Sequence, residues 1–160
     1  MKKRLYIFGF MTYLIIVIMS CNQIDVYESH NSIPNHKWNA GYSCKGTFKI
    51  SDTLATYNLY VVIRHTDKYQ YNNIWLNIGT QSSGKSMVYQ KMQLVLGSDA
   101  NGWQGVGMDD IWECRKKINE QPCQFKTAGE YRYELSQIMR DDPLNEIINV
   151  GFRVEKAENK

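Results

Sequence analysis

Residues 57–64 read Tyr57-Asn58-Leu59-Tyr60-Val61-Val62-Ile63-Arg64. Successive side chains of a β-strand point to opposite faces of its sheet, so the odd-numbered side chains of this stretch share one face. That face is apolar throughout, whereas the other face carries the polar Asn58 and Arg64. Alternation with a period of two residues predicts a β-strand with one face buried.

The same alternation recurs in five further stretches, at 44–50, 73–78, 88–96, 131–136 and 148–155. Turn-forming residues, such as the Ser83-Gly84 pair, separate these stretches. Seven or eight evenly spaced strands predict an all-β fold, a jelly-roll-like antiparallel β-sandwich over residues 37–158. The only helix candidate is the short segment 136–140.

The charge of the chain is concentrated at its N-terminus. The 160 residues carry 19 Lys+Arg and 16 Asp+Glu, a net charge of +3. Removing Lys2, Lys3 and Arg4 leaves 16 basic residues against 16 acidic ones. A balanced body gives no electrostatic reason to expect nucleic acid as a partner, and a hydrophobic content of 43% argues against disorder.

The first 20 residues have the pattern of a secretory signal peptide. A basic triplet precedes an apolar run at 5–19, which is too short to span a membrane as a helix. The junction Ile18-Met19-Ser20-Cys21 resembles a bacterial lipobox, in which the leader is cut before the cysteine and the thiol is acylated. We therefore expect lipidation at Cys21, acyl chains in the membrane and a tether at 21–36; the alternative is a plain secreted protein with a chance cysteine.

Three cysteines remain in the predicted body. Cys114 and Cys123 flank a turn-like segment, so a disulfide between them is one interpretation. The alternative is that Cys44, Cys114 and Cys123 are all buried thiols.

Catalytic and metal sites are not indicated by the sequence. His65 lies near Asp67 at a predicted strand end, an arrangement more typical of a surface pair than of a catalytic dyad. No Cys or His group has zinc-ligand spacing, and no glycine-rich segment continues as a phosphate-binding loop. We expect no enzyme, no catalytic residue, no metal, no cofactor and no small-molecule substrate.

Aromatic side chains are the candidates for contact with a partner. Three interpretations remain open: core packing, a protein interface, where Tyr and Trp are enriched, or a platform that stacks on sugar rings. The residues concerned are Trp75, Trp103, Tyr60, Tyr69 and Tyr71.

A series of short segments after Cys21 forms a pattern that covers most of the chain: Val26-Tyr27, Ile33-Pro34, Trp38, 57–64, Tyr69, Tyr71, Asn73, Trp75-Leu76, 102–107, 129–131, 138–140 and 150–156. In their order and spacing these segments resemble the gliding-motility lipoprotein family GldH. One departure concerns 99–102, which reads Asp-Ala-Asn-Gly where the family pattern has an Asp-Gly pair before the tryptophan segment.

The resemblance implies a non-catalytic lipoprotein of the cell envelope, at the outer membrane. No acidic cluster directly follows Cys21, and in some bacteria such a cluster marks lipoproteins for the cell surface, so we expect this one to face the periplasm. It implies a role in supporting a gliding-motility apparatus and its associated protein-secretion machinery, with other envelope lipoproteins as partners. The only site residue that carries over is Cys21. The alternative function is that of a carbohydrate-binding lipoprotein in a nutrient-uptake system.

Overall fold

Eight strands of seven or more residues form most of the structure, a computed structural model that describes residues 26–82 and 84–157. They are β1 (Val26–Ser32), β3 (Cys44–Ile50), β4 (Thr56–Thr66), β5 (Asn73–Ser82), β6 (Val88–Val95), β10 (Ile111–Lys117), β12 (Gly129–Gln137) and β14 (Ile147–Lys156). Shorter strands are β2 (Lys37–Trp38), β7 (Gly97–Ser98), β8 (Gly102–Trp103), β9 (Val106–Met108), β11 (Cys123–Gln124) and β13 (Leu144–Asn145), with a 3₁₀ turn at Pro34–His36.

The six strands predicted from alternation are confirmed as β3, β4, β5, β6, β12 and β14. The helix predicted at 136–140 is wrong, because its first two residues end β12 and the remainder is irregular. No helix in the described part of the chain is long and apolar enough to cross a membrane.

The strands form two main antiparallel sheets, here named sheet I and sheet II. Sheet I has the order β1-β14-β4-β10-β9, with β11 also paired to β4, and sheet II has the order β3-β12-β5-β6. Counting only the eight long strands, the orders are first-eighth-third-sixth and second-seventh-fourth-fifth. This connectivity is that of a jelly roll and confirms the predicted jelly-roll-like sandwich.

The core lies between the two sheets and is rich in aromatic rings. Phe152 of sheet I stacks on Tyr133 of sheet II, with ring centroids 4.5 Å apart, and lies 5.8 Å from Phe48. Val61 and Ile63, from the stretch that predicted the fold, are completely buried on the same inner face. Apolar burial of this kind is the dominant favourable term in folding.

Strand β1 replaces most of the predicted tether. Its seven residues pair with β14 from Val26, opposite Glu155, to Ser32, opposite Asn149. Glu28 forms an ion pair of 2.5 Å with Arg153 of β14. The predicted tether is therefore wrong from Val26 onward, and the domain begins there rather than at residue 37. Residues 1–25, which hold the predicted signal peptide and Cys21, lie outside the described residues.

The reason for this error is that β1 is polar and lacks an apolar stripe. Its ladder of hydrogen bonds to β14, the Glu28–Arg153 ion pair and the ring of Tyr27, packed 5.8 Å from Phe48, hold it in place. An edge strand needs only one paired side, so such contacts suffice without period-two alternation.

The sandwich has two ends, which we name by their relation to Val26. The proximal end carries Val26, the 51–55 connection and the 118–128 connection, since Val26 pairs with Glu155, Glu155 pairs with Asn58, and Cys123 pairs with Tyr57. The distal end carries the 67–72 and 96–110 connections. The 11 residues of β4 span the two ends, a length of about 33 Å at the usual rise per residue.

The predicted Cys114–Cys123 disulfide is absent, because all three cysteines of the described chain are free. Cys114 pairs with Ile63 of β4, whereas Cys123 pairs with Tyr57 of the same strand. These partners are six residues apart, about 20 Å along a strand, while a disulfide requires Cα atoms within about 7 Å. The short spacing of the two cysteines along the chain suggested a disulfide, but the strand register holds them too far apart to form one.

We predict three reactive thiols in the unfolded, unreduced body that begins after Cys21. In the folded body, Cys123 should react first, because it is half-buried while Cys44 and Cys114 are fully buried. Burial also raises the pKa of Cys44 to about 12, which suppresses its reactive thiolate. Titration with a thiol reagent measures the number of reactive thiols in the unfolded body and the order of their reaction in the folded body. A single reactive thiol in the unfolded, unreduced body would contradict this arrangement.

Candidate functional site

Three of the five predicted contact aromatics meet at the distal end. Tyr69 and Tyr71 lie in the connection between β4 and β5, and Trp103 lies on β8. The ring centroid of Tyr69 is 5.8 Å from that of Tyr71 and 6.2 Å from that of Trp103. These rings line one depression of about 220 Å³, together with Gln70, Asn72, Ser98, Asp99 and Gly102. We call this depression the distal pocket.

Backbone and side-chain hydrogen bonds hold the walls of the distal pocket. Asn72 accepts hydrogen bonds at its carbonyl from the amides of Leu96 and Gly97, at 2.7 and 3.0 Å, which ties the two connections together. The Tyr71 hydroxyl donates to Asp141 at 2.6 Å, and the Tyr69 hydroxyl donates to the Asn73 carbonyl at 3.0 Å. Both tyrosine hydroxyls are thus engaged within the domain.

Tyr69 does not have the exposure that a contact residue requires, since only 4% of it is accessible. It supports Trp103 from below, while Trp103 and Tyr71 are half-buried and form the accessible walls. The prediction of Tyr69 as an interface residue is therefore wrong, because its ring completes the core beneath the pocket.

His65 and Cys114 form the floor on which Trp103 packs. The ring of His65 lies 4.5 Å from that of Trp103 in an edge-on arrangement. His65 Nδ1 donates to the Thr66 carbonyl at 2.7 Å, and His65 Nε2 lies 3.9 Å from Cys114 Sγ. Cys114 Sγ lies in turn 2.6 Å from the Gln104 carbonyl oxygen, so this buried pair fixes the segment that carries Trp103.

The His65–Cys114 pair does not have the electrostatics of a catalytic dyad. Burial lowers the pKa of His65, although its hydrogen bond to Thr66 opposes that shift. Burial likewise raises the pKa of the Cys114 thiol. Both shifts favour neutral groups, whereas a nucleophilic cysteine needs a lowered pKa beside a histidine that accepts its proton.

The sequence interpretation of His65 as half of a surface pair with Asp67 is wrong. His65 is completely buried and faces Cys114, while Asp67 is exposed and its amide donates to the Asp110 carbonyl. The contact between His65 and Cys114 depends on the register of β4 with β10, which places Trp112 opposite His65. Sequence spacing alone carries no signal for it.

An apolar edge strand lies in the same connection as Trp103. Strand β9 forms one edge of sheet I, and its Val106 and Met108 are 75% and 74% exposed. Gly105 allows the chain to enter this strand with a φ of +97°, and a Cβ atom there would lie 2.1 Å from the Glu113 carbonyl oxygen. We call Val106–Met108 the distal edge. None of the six alternating stretches of the sequence includes it, so this strand was not predicted.

The two other predicted contact aromatics lie elsewhere. Trp75 is 42% exposed on the outer face of sheet II, between the buried Ile74 and Leu76. Tyr60 lies half-buried on β4, between Lys117 and Arg153 of the neighbouring strands. Neither residue is part of the distal pocket.

A metal site is not formed by the described residues, which contain no group of three or more His, Cys, Asp or Glu side chains placed to hold an ion. The chemistry that the distal end offers is therefore apolar and aromatic contact together with the hydrogen-bonding groups of an open strand edge.

The sequence profile of the GldH lipoprotein family matches residues 25–154. The chain belongs to this family. Among curated proteins, it is 26% identical to the gliding motility lipoprotein GldH homolog of Christiangramia forsetii, over 99% of this chain and 100% of that protein. It is 22% identical to the gliding motility lipoprotein GldH of Flavobacterium johnsoniae, over 94% of this chain and 96% of that protein.

Solved structures show weaker likenesses to this GldH-family chain. It matches the infectious bursal disease virus VP2 subviral particle at 14% identity, with a TM-score of 0.32. The match covers 83% of this chain and 33% of the viral chain. At that TM-score the likeness supports no inference about fold or function.

The buried His65 should make the stability of the domain depend on pH. Because burial lowers its folded-state pKa, the unfolded chain takes up a proton first as the pH falls below the ordinary histidine value of about 6.5. We predict that the urea midpoint is constant above this pH and falls between pH 6.5 and 5. The measurement is urea unfolding followed by fluorescence at pH 7.5 and 5.5.

The variant His65→Gln should have a lower urea midpoint than the native chain at pH 7.5. Its midpoint should fall less than that of the native chain between pH 7.5 and 5.5. The matched control His36→Gln changes an exposed histidine and should decline as the native chain does. An unchanged decline in His65→Gln would show that other groups cause the pH dependence.

Proposed function

We propose that this protein is a non-enzymatic, lipid-anchored component of the gliding-motility apparatus that holds a protein-binding jelly roll close to the membrane. Cys21 carries the acyl chains, and the site of action is the outer membrane, on its periplasmic face. The distal end contacts other envelope lipoproteins or proteins of the motility and secretion machinery. Membership of the GldH lipoprotein family and the names of the two relatives support the lipoprotein and motility parts of this proposal.

The observation that carries the proposal is the position of Val26. It lies at the proximal end and only five residues after Cys21. Five residues extend at most about 17 Å, so an anchor on Cys21 keeps the proximal end beside the membrane. The distal edge then points away from the bilayer, at the far end of β4. Confinement of this kind raises the effective concentration of the domain for partners in the same membrane.

The distal edge has the properties of a protein-binding surface. The outer side of β9 is an unpaired sheet edge, and an extended segment of a partner could add to it as a further strand. Exposed Val106 and Met108, which follow the half-buried Trp103 in the same connection, supply apolar contacts that are common in interface cores. The balanced charge of the body favours recognition by shape and apolar contact over electrostatic attraction.

The alternative of carbohydrate binding receives less support. The Tyr69 and Tyr71 hydroxyls at the distal pocket are already bonded within the domain, and Trp75, on the outer face of sheet II, does not line that pocket. The distal pocket measures about 220 Å³, below the usual range of small-molecule sites. Binding to a glycan array that is lost in both Trp75→Ala and Trp103→Ala would favour this alternative.

We predict that the double variant Val106→Glu/Met108→Glu loses partner capture. Two carboxylates on the distal edge would have to be desolvated in an apolar interface, so capture should fall about tenfold or more, equivalent to about 1.4 kcal/mol. The measurement is crosslinking in intact envelopes, followed by purification of the lipidated chain and quantitative mass spectrometry of envelope lipoproteins.

The control is Val95→Glu, which places one such carboxylate on an exposed valine of β6 in sheet II. It should capture partners as the native chain does, and circular dichroism should show that all variants are folded. Equal capture by the double variant and the control would exclude the distal edge as the docking surface.

A further inference from the structure

The proximal end contains an open apolar cleft between the two sheets. Its volume is about 520 Å³, which is within the usual range of ligand sites. Carbon-rich side chains from both sheets and from the 118–128 connection line it: Phe48, Leu59, Val88, Phe125 and Tyr131. We call this space the proximal cleft.

Aromatic rings form the inner wall of the proximal cleft. Phe125 lies 4.7 Å from Tyr131 and 5.8 Å from Phe48, and Phe48 stacks on Tyr131 at 5.6 Å. Each ring is therefore supported by the others, and the wall is set in the folded domain. A rigid, apolar wall requires no ordering when a flexible apolar ligand enters.

Three polar side chains that line the proximal cleft form hydrogen bonds within the domain. The amide of Gln124 donates to the Thr53 carbonyl at 2.6 Å, and that of Gln81 donates to the Lys85 carbonyl at 2.6 Å. The Tyr131 hydroxyl donates to the Thr127 carbonyl at 2.8 Å. These three groups are engaged before any ligand enters, whereas a hydrocarbon chain needs no hydrogen-bonding partner.

The N-terminal end of the described chain lies beside this cleft. Tyr27 of β1 packs its ring 5.8 Å from Phe48, which lines the cleft, and Val26 precedes it. Cys21 is five residues before Val26, a reach of at most about 17 Å. Acyl chains bonded to Cys21 are thus kept within reach of the cleft by a short covalent link.

From this placement we infer that the proximal cleft receives one acyl chain of the protein's own lipid anchor. This inference rests on the proposed acylation of Cys21. The covalent link supplies a high effective concentration of the ligand, so weak apolar contact is enough for occupancy. An acyl chain that moves from the bilayer to the cleft leaves one apolar environment for another, so the move exposes no hydrocarbon to water. The remaining acyl chain or chains, together with apolar contact at the proximal end, keep the protein on the membrane, since stable anchoring takes two signals.

Occupancy of the cleft would fix the domain on its anchor. A chain lodged against Phe125 and Tyr131 shortens the free link between membrane and domain and restrains rotation of the proximal end. The distal edge would then be presented in a defined orientation rather than on a swivelling tether.

A photoreactive anchor tests this inference in the full chain. The protein is produced in bacteria supplied with a palmitate analogue that carries a diazirine near its methyl end, and intact membranes are irradiated. Mass spectrometry of the digested protein should find the Cys21-linked chain joined to the segments that contain Phe125 and Tyr131. The crosslink should fall about tenfold in Thr80→Trp, which fills the cleft from the inner face of β5.

Thr47→Trp is the matched control, because Thr47 is exposed on the face of sheet II opposite to Phe48. It should retain the native crosslink. Should Thr80→Trp not fold, Cys123 supplies a second readout in the native sequence, since it lines the cleft and is half-buried. Its alkylation should be at least about tenfold slower in the lipidated chain than in the unlipidated body mixed with empty vesicles.

The outcomes separate this inference from the proposed function. Absence of the analogue from the protein would contradict acylation of Cys21 itself. An acylated chain whose crosslinks reach only phospholipid would leave the anchor intact and overturn cleft occupancy. Crosslinks between isotopically light and heavy copies, or equal capture of a photoreactive phosphatidylcholine by the unlipidated body, would also overturn it, because the occupant would come from another molecule.

Discussion

The end of this domain at which the chain enters it is set by the pairing of β1 with β14. Seven residues of β1 are in register with β14, and Glu28 bonds Arg153 in the middle of the pair. Burial raises the pKa of Glu28, but its hydrogen bonds to Arg153 and His30 and the charge of Arg115 outweigh burial and lower that pKa. The carboxylate is therefore ionised at neutral pH and can pair with Arg153. This ion pair and the strand ladder fix the position of β1 in the domain.

The two ends of the jelly roll present different apolar surfaces. Successive long strands run in opposite directions, so their connections alternate between the proximal and the distal end. The proximal end holds an apolar cleft and the 88% exposed Leu54, and the distal end holds the Trp103 segment and the distal edge. A lipid-anchored protein with these features has apolar surface at both ends, one suited to acyl chains and the other to a protein.

The sequence predicted the strands whose alternation reflects one buried face, because that pattern follows directly from strand geometry. It did not predict β1, where ion pairing and edge ladder bonds replace an apolar stripe. Trp103 and Tyr71 were recognised as candidates, yet their meeting depends on hydrogen bonds from Leu96 and Gly97 to Asn72. The prediction of a Cys114–Cys123 disulfide was wrong for a related reason. Spacing along the chain does not show which residues of β4 the two cysteines pair with.

The orientation of the domain on the membrane can be measured directly. Single spin labels at positions 54 and 108 of the lipidated chain in nanodiscs report their distance from the bilayer through relaxation by nickel-chelating lipids. A short linker after Cys21 and a domain that begins at Val26 predict strong relaxation at position 54 and little at position 108. Equal relaxation at the two positions, or stronger relaxation at 108, would contradict a proximal end held at the membrane.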